Sequence, residues 1–299
     1  MSQYVKKIRT EAGDLQIDYN ALANLPTISN PNLLDNANFK EPVNQRNQET
    51  YSYTSSDTKK VYTIDRWWIN GTGASLTFND GHMSVYLPSH CDFGQGLDVD
   101  YTNFNDVTVS VKFKDDSVVK TATVSGLSSM QESTEKFVNL TSAIMIGFFV
   151  FGHGMYMFFR PTSGAVTMNI EWIKLENGPV ATPFIPKPYQ QELFTCQHYY
   201  RILADGFFIG LAITTVDSIV MPITGIGKMY KDDPSLYINN IIFNPLSENR
   251  DLYIRPTAGY ARLNAFTGFV SLNNPESQAT VGSVGRIYGG TMTLDAEMY

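Results

Sequence analysis

The sequence contains few cysteines and few charged residues. Two cysteines, Cys91 and Cys196, occur in 299 residues, and 17% of the residues are charged. Two cysteines are too few for a framework of several disulfides or for a metal site built from clustered cysteines. A hydrophobic core therefore has to hold the fold together. Because free cysteines are commonly buried as small apolar side chains, we expect two separate buried thiols.

Positive charge is also scarce. The 22 Lys and Arg residues against 29 Asp and Glu residues give a formal net charge of -7 at pH 7. Nucleic-acid-binding proteins carry concentrated positive charge instead. We therefore expect no nucleic-acid partner.

Long uninterrupted apolar runs are missing. No apolar stretch follows the basic residues near the N-terminus, so these residues do not form a secretory signal. The most apolar segment, Ala143–Phe159, has about the minimum length for a membrane span and is interrupted by glycines and a histidine. Two buried strands joined by Gly152-His153-Gly154 are the favoured interpretation, so we expect no membrane insertion.

Alternating apolar residues predict β-strands along most of the chain. Every second residue of Val107–Phe113 is apolar, which predicts a half-buried strand. Asn79-Asp80-Gly81 is a turn sequence between two such segments and predicts a hairpin. A further strand is predicted to place Val166, Met168, Ile170 and Trp172 on one face. Short strands separated by turns favour a β-sandwich or jelly roll over a parallel sheet.

A proline-rich stretch, Pro179–Pro188, predicts a boundary between two β regions. We predict one helix after it, over Gln190–Ala204, in which Leu193, Cys196, Tyr200 and Leu203 share a face. The polar segment Glu41–Lys60 is predicted to be a surface loop. The predicted strands of the second β region are Gly206–Thr214, Ser218–Thr224, Ser235–Phe243, Asp251–Pro256, Ala261–Val270 and Gly285–Leu294.

The predicted fold class is therefore mainly β, with four parts. They are an N-terminal segment (1–28), a β-sandwich of the jelly-roll type (29–180), a Pro-rich linker with a helix (181–205) and a C-terminal antiparallel β-sandwich (206–299).

Motifs for catalysis are absent, so we expect no enzyme, no cofactor and no bound metal. His90-Cys91-Asp92 could be half of a metal site or part of a nucleophilic pair, but a turn is favoured because Pro88 and glycines flank it. Asp98 and Asp100 are predicted on one face of a strand, where they could line a glycosidase groove or bind a cation. A solvated strand edge explains the same residues and is favoured.

Aromatic residues are abundant, at 13% of the chain. Flat rings beside Asn, Asp and Arg side chains suit saccharides, although ordinary packing also uses such rings. Of the adjacent pair Trp67-Trp68, one ring should point into the core.

Several segments of the chain form a recognisable set. They are the opening KKIRTEAGDLQIDYNALANLP, the stretches NLLDNANFKEPVNQR and YTIDRWWINGTGASLTF, the junction EWIKLENGPVATPFIPKPYQQELFTCQHYYRI and the ending GTMTLDAEMY. Together they resemble segments of tail-fibre and receptor-binding proteins of phages and prophages of Gram-positive bacteria. The opening resembles the N-terminal segment of these proteins, and the two stretches resemble the start of their carbohydrate-binding-module-like jelly rolls. The junction and the ending resemble the passage to the C-terminal tip domain and its last strand.

The resemblance implies a virion tail protein that is made in the bacterial cytoplasm and forms a homotrimer. Residues 1–28 would dock on a tail or baseplate protein, and the β domains would bind a host cell-surface glycan without catalysis. A tail-associated polysaccharide depolymerase and a purely structural tail connector are the alternatives, and a phage-tail-like bacteriocin would use the same protein. By analogy with such modules, Asn36 and Asn38 could contribute oxygens to a calcium site, although no ligand cluster indicates one.

The resemblance also ranks the candidate ligand contacts. The tip domain lies farthest from the N-terminal anchor, so its rings and arginines come first. These are Tyr230, Tyr237, Tyr253, Arg255, Tyr260 and Arg262. The second group lies in the jelly roll and comprises Trp68, Tyr86 and His90.

Overall fold

The computed structural model describes residues 29–57, 59–151, 154–202, 229 and 293–296 with their side chains. In other parts of the chain it describes the backbone of the strands named below. The protein is mainly β, with antiparallel strand pairing, as the alternating apolar pattern predicts. Near the N-terminus, β1 (Lys7–Thr10) and β2 (Gly13–Gln16) form a hairpin.

The predicted jelly-roll region is a sandwich of two six-stranded sheets. The first sheet contains β3 (Thr50–Ser52), β6 (Ser75–Asn79), β7 (His82–Leu87), β9 (Asp106–Phe113), β10 (Lys120–Ser125) and β14 (Val166–Asn177). Across this sheet the order is β10-β9-β14-β7-β6-β3.

The second sheet contains β4 (Val61–Tyr62), β5 (Trp67–Asn70), β8 (Asp92–Leu97), β11 (Glu135–Asn139), β12 (Ile144–Phe151) and β13 (Gly154–Pro161). Its order is β11-β12-β13-β8-β5-β4. The chain crosses repeatedly between the two sheets, so both must form for either to be complete.

One continuous core fills the space between the sheets. Trp67 is fully buried in this core, stacked on Phe93 with ring centroids 4.8 Å apart and contacted edge-on by Phe39 at 5.3 Å. Its Nε1 donates to the carbonyl of Asn36 at 2.9 Å. A large aromatic ring with its polar atom satisfied contributes strongly to a core of this size.

The hairpins that the sequence predicts are present. Asn79 pairs with His82 across the turn at Gly81, whose φ of +71° explains the glycine. In the most apolar segment, β12 and β13 pair from Ile144↔Pro161 to Phe151↔Gly154. The segment is thus two paired strands of the sandwich, as predicted.

The prediction that Trp172 shares a face with Ile170 is wrong. The register of β14 against β9 shifts between these two residues, which marks a β-bulge. After the bulge, Ile173 faces the core, and Trp172 stacks on Phe184 of the proline-rich stretch with centroids 4.6 Å apart. One extra residue has therefore reversed the facing of the rest of the strand.

The segment Glu41–Lys60 is more ordered than the predicted loop. Its middle forms the edge strand β3, which places Tyr51 in the core, and Tyr53 follows it there. These two tyrosine rings anchor the polar segment in the core, although its apolar and polar residues do not alternate regularly.

The predicted helix is too long. The helix α1 spans Tyr189–Cys196, and the chain then turns into the strand β15 (Tyr200–Ala204). This strand pairs with β24 (Thr291–Asp295), close to the C-terminus. Tyr200 and Leu203 are therefore on a strand, because pairing with a distant segment overrides the local helical pattern.

Strands of the second β region form two antiparallel sheets, of which one contains β15, β24 and β18 (Ser235–Asn239). Across the other sheet, seven strands are ordered β20 (Leu252–Ile254), β19 (Ile241–Pro245), β23 (Val284–Tyr288), β16 (Phe208–Ala212), β17 (Ser218–Thr224), β22 (Thr267–Asn273) and β21 (Ala258–Leu263). Three segments that are predicted as single strands, namely Ser235–Phe243, Ala261–Val270 and Gly285–Leu294, are each divided between two strands.

Candidate functional site

The three predicted ligand contacts of the sandwich lie in separate places. Trp68 alternates with the core residue Trp67 and lies on the outer side of the second sheet. Tyr86 lies on the outer face of the first sheet and is 42% exposed. His90 is exposed in the turn between β7 and β8, with a φ of +64°. These residues do not form one site.

The predicted contacts of the C-terminal region lie on several strands. Tyr237 is on β18, Tyr253 on β20, and Tyr260 and Arg262 are on β21, whereas Tyr230 and Arg255 lie outside the described residues. Their role in binding stays a prediction.

Aromatic side chains cover the outer face of the second sheet. The register aligns one row of residues across all six strands, and residues paired in this way point to the same face. The row is Tyr62, Trp68, Gly94, Phe158, Gly147 and Phe137. We call the surface formed by Tyr62, Trp68, Phe137, Phe149, Phe151, Tyr156 and Phe158 the aromatic face.

Two glycines in this row make room for the rings. A Cβ on Gly147 would lie 2.3 Å from Cζ of Phe158, and a Cβ on Gly94 would lie 2.8 Å from Cζ2 of Trp68. The ring atoms thus lie directly against the backbone of the neighbouring strands. A side chain at either glycine would displace a ring, so the two glycines are part of the architecture of this surface.

The aromatic face is covered in one part and open in another. Trp68, Tyr156 and Phe158 are at most 5% exposed, whereas Phe137 is 40% and Phe151 55% exposed. Antiparallel sheets commonly expose polar residues on the side away from the core. Large rings on that side are therefore an unusual feature, and the open part offers flat apolar surface to a ligand.

Arg160 lies where the covered part meets the open part. Its guanidinium carbon is 4.9 Å from the ring centroid of Phe158 and 5.3 Å from that of Phe137. It donates two hydrogen bonds to Asp92, at 2.7 and 2.9 Å, and lies 3.5 Å from a carboxylate oxygen of Glu135. Burial raises the pKa of Asp92, while these hydrogen bonds act in the opposite direction. The rings are thus bordered by charged donors and acceptors.

Lys60 lies over the covered part. Its Nζ is 3.5 Å from the ring centroid of Tyr156 and 5.0 Å from that of Trp68. Burial lowers the pKa of Lys60 to about 8, against a smaller opposing effect of Asp92. Cation–π contacts offset part of the cost of desolvating this ammonium group.

A second feature is a groove of about 410 Å³ between the sandwich and α1. Its size falls within the range of small-molecule sites. Phe194, which is 76% exposed, contributes an open ring to it. The lining comprises Leu33, Asp35, Asp98, Val99, Phe194, Thr195, His198 and Tyr199.

The acidic residues of this groove already have partners. The hydroxyl of Tyr199 donates to Asp98 at 3.1 Å, and Asp35 forms ion pairs with Arg66 at 3.4 Å and Lys187 at 3.3 Å. Burial raises the pKa of Tyr199, so its phenol remains a hydrogen-bond donor at neutral pH. The groove thus offers fixed polar groups beside one free ring.

The prediction that Asp98 and Asp100 share a strand face is wrong. Strand β8 ends at Leu97, and Asp100 caps a short 3-10 turn by accepting from the backbone N–H of Thr102 at 3.1 Å. Asp98 lines the groove and Asp100 does not. The structure therefore does not support these two residues as an acid pair.

Cys91 and Cys196 are both buried and free, which confirms the prediction of two separate thiols. Among the described residues, no group of three or more His, Cys, Asp and Glu side chains could hold a metal ion. The side-chain oxygen of Asn36 accepts from the backbone N–H of Val43 at 2.7 Å, so a role in fold geometry accounts for this residue.

No family model, curated protein or solved structure matches this chain. No helix in the part of the chain that the structure describes is long and apolar enough to cross a membrane.

Sequence reasoning missed most of the aromatic face, including Phe137, Phe151, Phe158, Arg160 and Lys60. A signal was present, because the strands over Ala143–Phe159 carry large apolar residues at successive positions rather than at every second one. That pattern predicts burial on both faces, and only the register shows that one of these faces is the outer one.

Proposed function

We propose that this chain is a non-enzymatic attachment protein that binds a host cell-surface polysaccharide, and that the aromatic face is its binding surface in the sandwich. The observation that carries the proposal is the row of rings that lie over Gly94 and Gly147 and become exposed at Phe137. Sugar rings stack their C–H faces on such rings, and neighbouring charged groups such as Arg160 bind their hydroxyls.

The biological setting belongs to the same proposal. The resemblance of the N-terminal segment and of the tip junction to phage tail fibres supports a place in a virion tail, with residues 1–28 bound to a tail or baseplate protein. A homotrimer would present several aromatic faces to a repeating polymer, and multivalent binding strengthens weak individual contacts.

The test is binding of labelled full-length protein to a panel of Gram-positive cells before and after their wall polysaccharide is stripped. We expect binding that is lost with the polysaccharide. The double variant Phe137→Ala/Phe151→Ala should bind about tenfold or more weakly, since each aromatic contact contributes about 0.5–1.5 kcal/mol. Tyr86→Ala is the matched control, because its ring is equally exposed on the other sheet.

Two results would contradict this proposal. Folded wild-type protein that binds no cell of the panel overturns the attachment function. Binding that Tyr86→Ala weakens and the double variant leaves unchanged overturns the assignment of the aromatic face, and assigns binding to the first sheet.

A depolymerase is the second candidate, and the groove beside α1 favours it because Asp35 and Asp98 both line that space. Two carboxylates across a sugar-sized cleft are the usual arrangement for glycoside hydrolysis. The measurement is release of reducing ends from host wall glycan, compared between wild type and Asp98→Asn. Release that Asp98→Asn abolishes would replace the non-enzymatic proposal, whereas binding without release supports it.

A further inference from the structure

The covered part of the aromatic face contains a cation that forms no close ion pair in the described part of the chain, although the more distant Asp92 acts on it. Lys60 contacts the rings of Tyr156 and Trp68, and no carboxylate among the described residues lies within 4 Å of its Nζ. Arg160, on the same face, differs because Asp92 and Glu135 neutralise it. A partly buried ammonium group that only contacts rings retains much of its desolvation cost.

The same cluster contains a hydrogen-bond donor without an acceptor. Trp68 is 2% exposed, and no described residue accepts from its Nε1, which is buried. The adjacent Trp67 shows the usual situation, since its Nε1 donates to the carbonyl of Asn36. Buried indole N–H groups normally find a partner, because an unsatisfied donor costs about as much as a lost hydrogen bond.

Both groups lack the same kind of partner. Lys60 Nζ lies 5.0 Å from the ring centroid of Trp68, so the ammonium group and the indole lie in one cluster. A sugar hydroxyl would satisfy the indole N–H but would leave the ammonium without a counter-charge. A carboxylate or phosphodiester satisfies both.

We propose that Lys60 and Trp68 form a subsite for an anionic group of the bound polysaccharide. The inference rests on the proposed function, since it names the charge of the ligand that the aromatic face takes. Tyr156 and Phe158 form the apolar floor, and Lys60 is half-buried, so its flexible side chain is the part of the subsite that a ligand can displace. The ammonium then moves from the rings to the anion.

The probes are three polymers, each offered to the full-length protein: poly(glycerol phosphate), polygalacturonate and neutral dextran. The protein is labelled with 5-fluorotryptophan, and its three tryptophans give three fluorine signals. Trp68→Phe identifies the signal of Trp68 by its loss. Affinity is measured by titration calorimetry for wild type, Lys60→Gln and the matched control Lys59→Gln, which removes the neighbouring exposed lysine charge.

We expect at least one anionic polymer to shift the Trp68 signal, with no shift by dextran. A shift by poly(glycerol phosphate) indicates a phosphodiester as the bound group, and a shift by polygalacturonate indicates a carboxylate. Lys60→Gln should weaken binding of that polymer about tenfold, and Lys59→Gln by less than twofold. The circular dichroism spectrum of each variant shows whether it is folded.

The inference is overturned if no polymer moves the Trp68 signal, or if Lys60→Gln and Lys59→Gln weaken binding equally. Dextran binding that is unaffected by Lys60→Gln would overturn the anionic subsite and leave the proposed function standing. Failure of the proposed function is a separate result: folded wild-type protein would then bind no cells at all.

Discussion

The two outer faces of the sandwich differ in chemistry although the two sheets share one core. On the first sheet, aligned residues facing outward are mainly hydroxyl and amide side chains, such as Thr77, Ser84, Asn169 and Thr123. On the second sheet, the corresponding positions carry the aromatic face. Folding explains a polar outer face, but it does not require rings there.

The shared core does not explain this difference between the two outer faces. A core favours apolar residues on the inner faces of both sheets. It therefore cannot cause a difference between the two outer faces. The aromatic face is therefore the outer surface at which we propose binding.

The largest expected effect is a difference in the free energy of unfolding between variants of the two adjacent tryptophans. Trp67→Ala should lower the free energy of unfolding by about 3–5 kcal/mol, because it removes a stacked core ring and a satisfied hydrogen bond. Trp68→Ala should cost less, because it also removes an unsatisfied buried donor. Urea unfolding of the two variants measures both values, and equal losses would contradict this reading of the pair.

A smaller effect is expected from filling the space under a ring. Gly147→Ala should destabilise the protein by about 1–3 kcal/mol, since its Cβ would overlap the ring of Phe158. Thr121→Ala, at an exposed position on the outer face of the first sheet, should stay within about 0.5 kcal/mol of wild type. Thermal unfolding measures both, and an unchanged melting temperature for Gly147→Ala would show that the ring does not depend on this glycine.

The charge of Lys60 predicts a pH dependence of the stability of the protein. Its pKa is about 8 in the folded protein and 10.5 in an unperturbed lysine, so the unfolded chain binds more protons between these values. This group's contribution therefore makes folding more favourable as the pH rises from 8 to 10.5. Burial is the larger cause of this lowered pKa and the more distant Asp92 opposes it, while the rings of Trp68 and Tyr156 face the ammonium group.

The measurement is urea unfolding of wild type and Lys60→Met at several pH values. Lys60→Met should be the more stable protein at pH 7, and the difference should narrow as the pH rises through that window. A difference that stays constant from pH 7 to 10.5 would show that Lys60 is not desolvated.

The smallest expected effect concerns stability at the open part of the aromatic face. Phe137→Ala and Tyr86→Ala remove rings of similar exposure, 40% and 42%, so each should change the free energy of unfolding by less than about 1 kcal/mol. Differential scanning calorimetry tests this. A large loss for Phe137→Ala alone would mean that this ring supports the fold, and would weaken its use as a binding variant.

The strands of the sandwich were predictable because their periodicity is local. Val107, Val109 and Val111 alternate with polar residues, and the core receives all three. The turn at Gly81 was equally predictable, since its residue types suit a positive φ. Such features depend on neighbouring residues alone.

Several misjudged elements depend on distant partners. Leu203 continues a helical pattern, but pairing with β24 makes it part of a strand. Trp172 points away from the core because β14 has a bulge against β9, which no local sequence pattern predicts. Two of the three divided strands in the second β region have halves that pair with different strands, whereas the halves of Ala261–Val270 lie in β21 and β22, which pair with each other as a hairpin.

The amino-acid sequence by itself determined the fold class, the separate buried thiols and the hairpins, because alternation and turn residues act over a few positions. The tertiary structure decided the aromatic face. Tyr62 and Phe137 are far apart in the chain, and neither signals a site alone. Strand register across six strands aligned them with two glycines and brought Lys60 over the rings, because pairing sets which residues share a face.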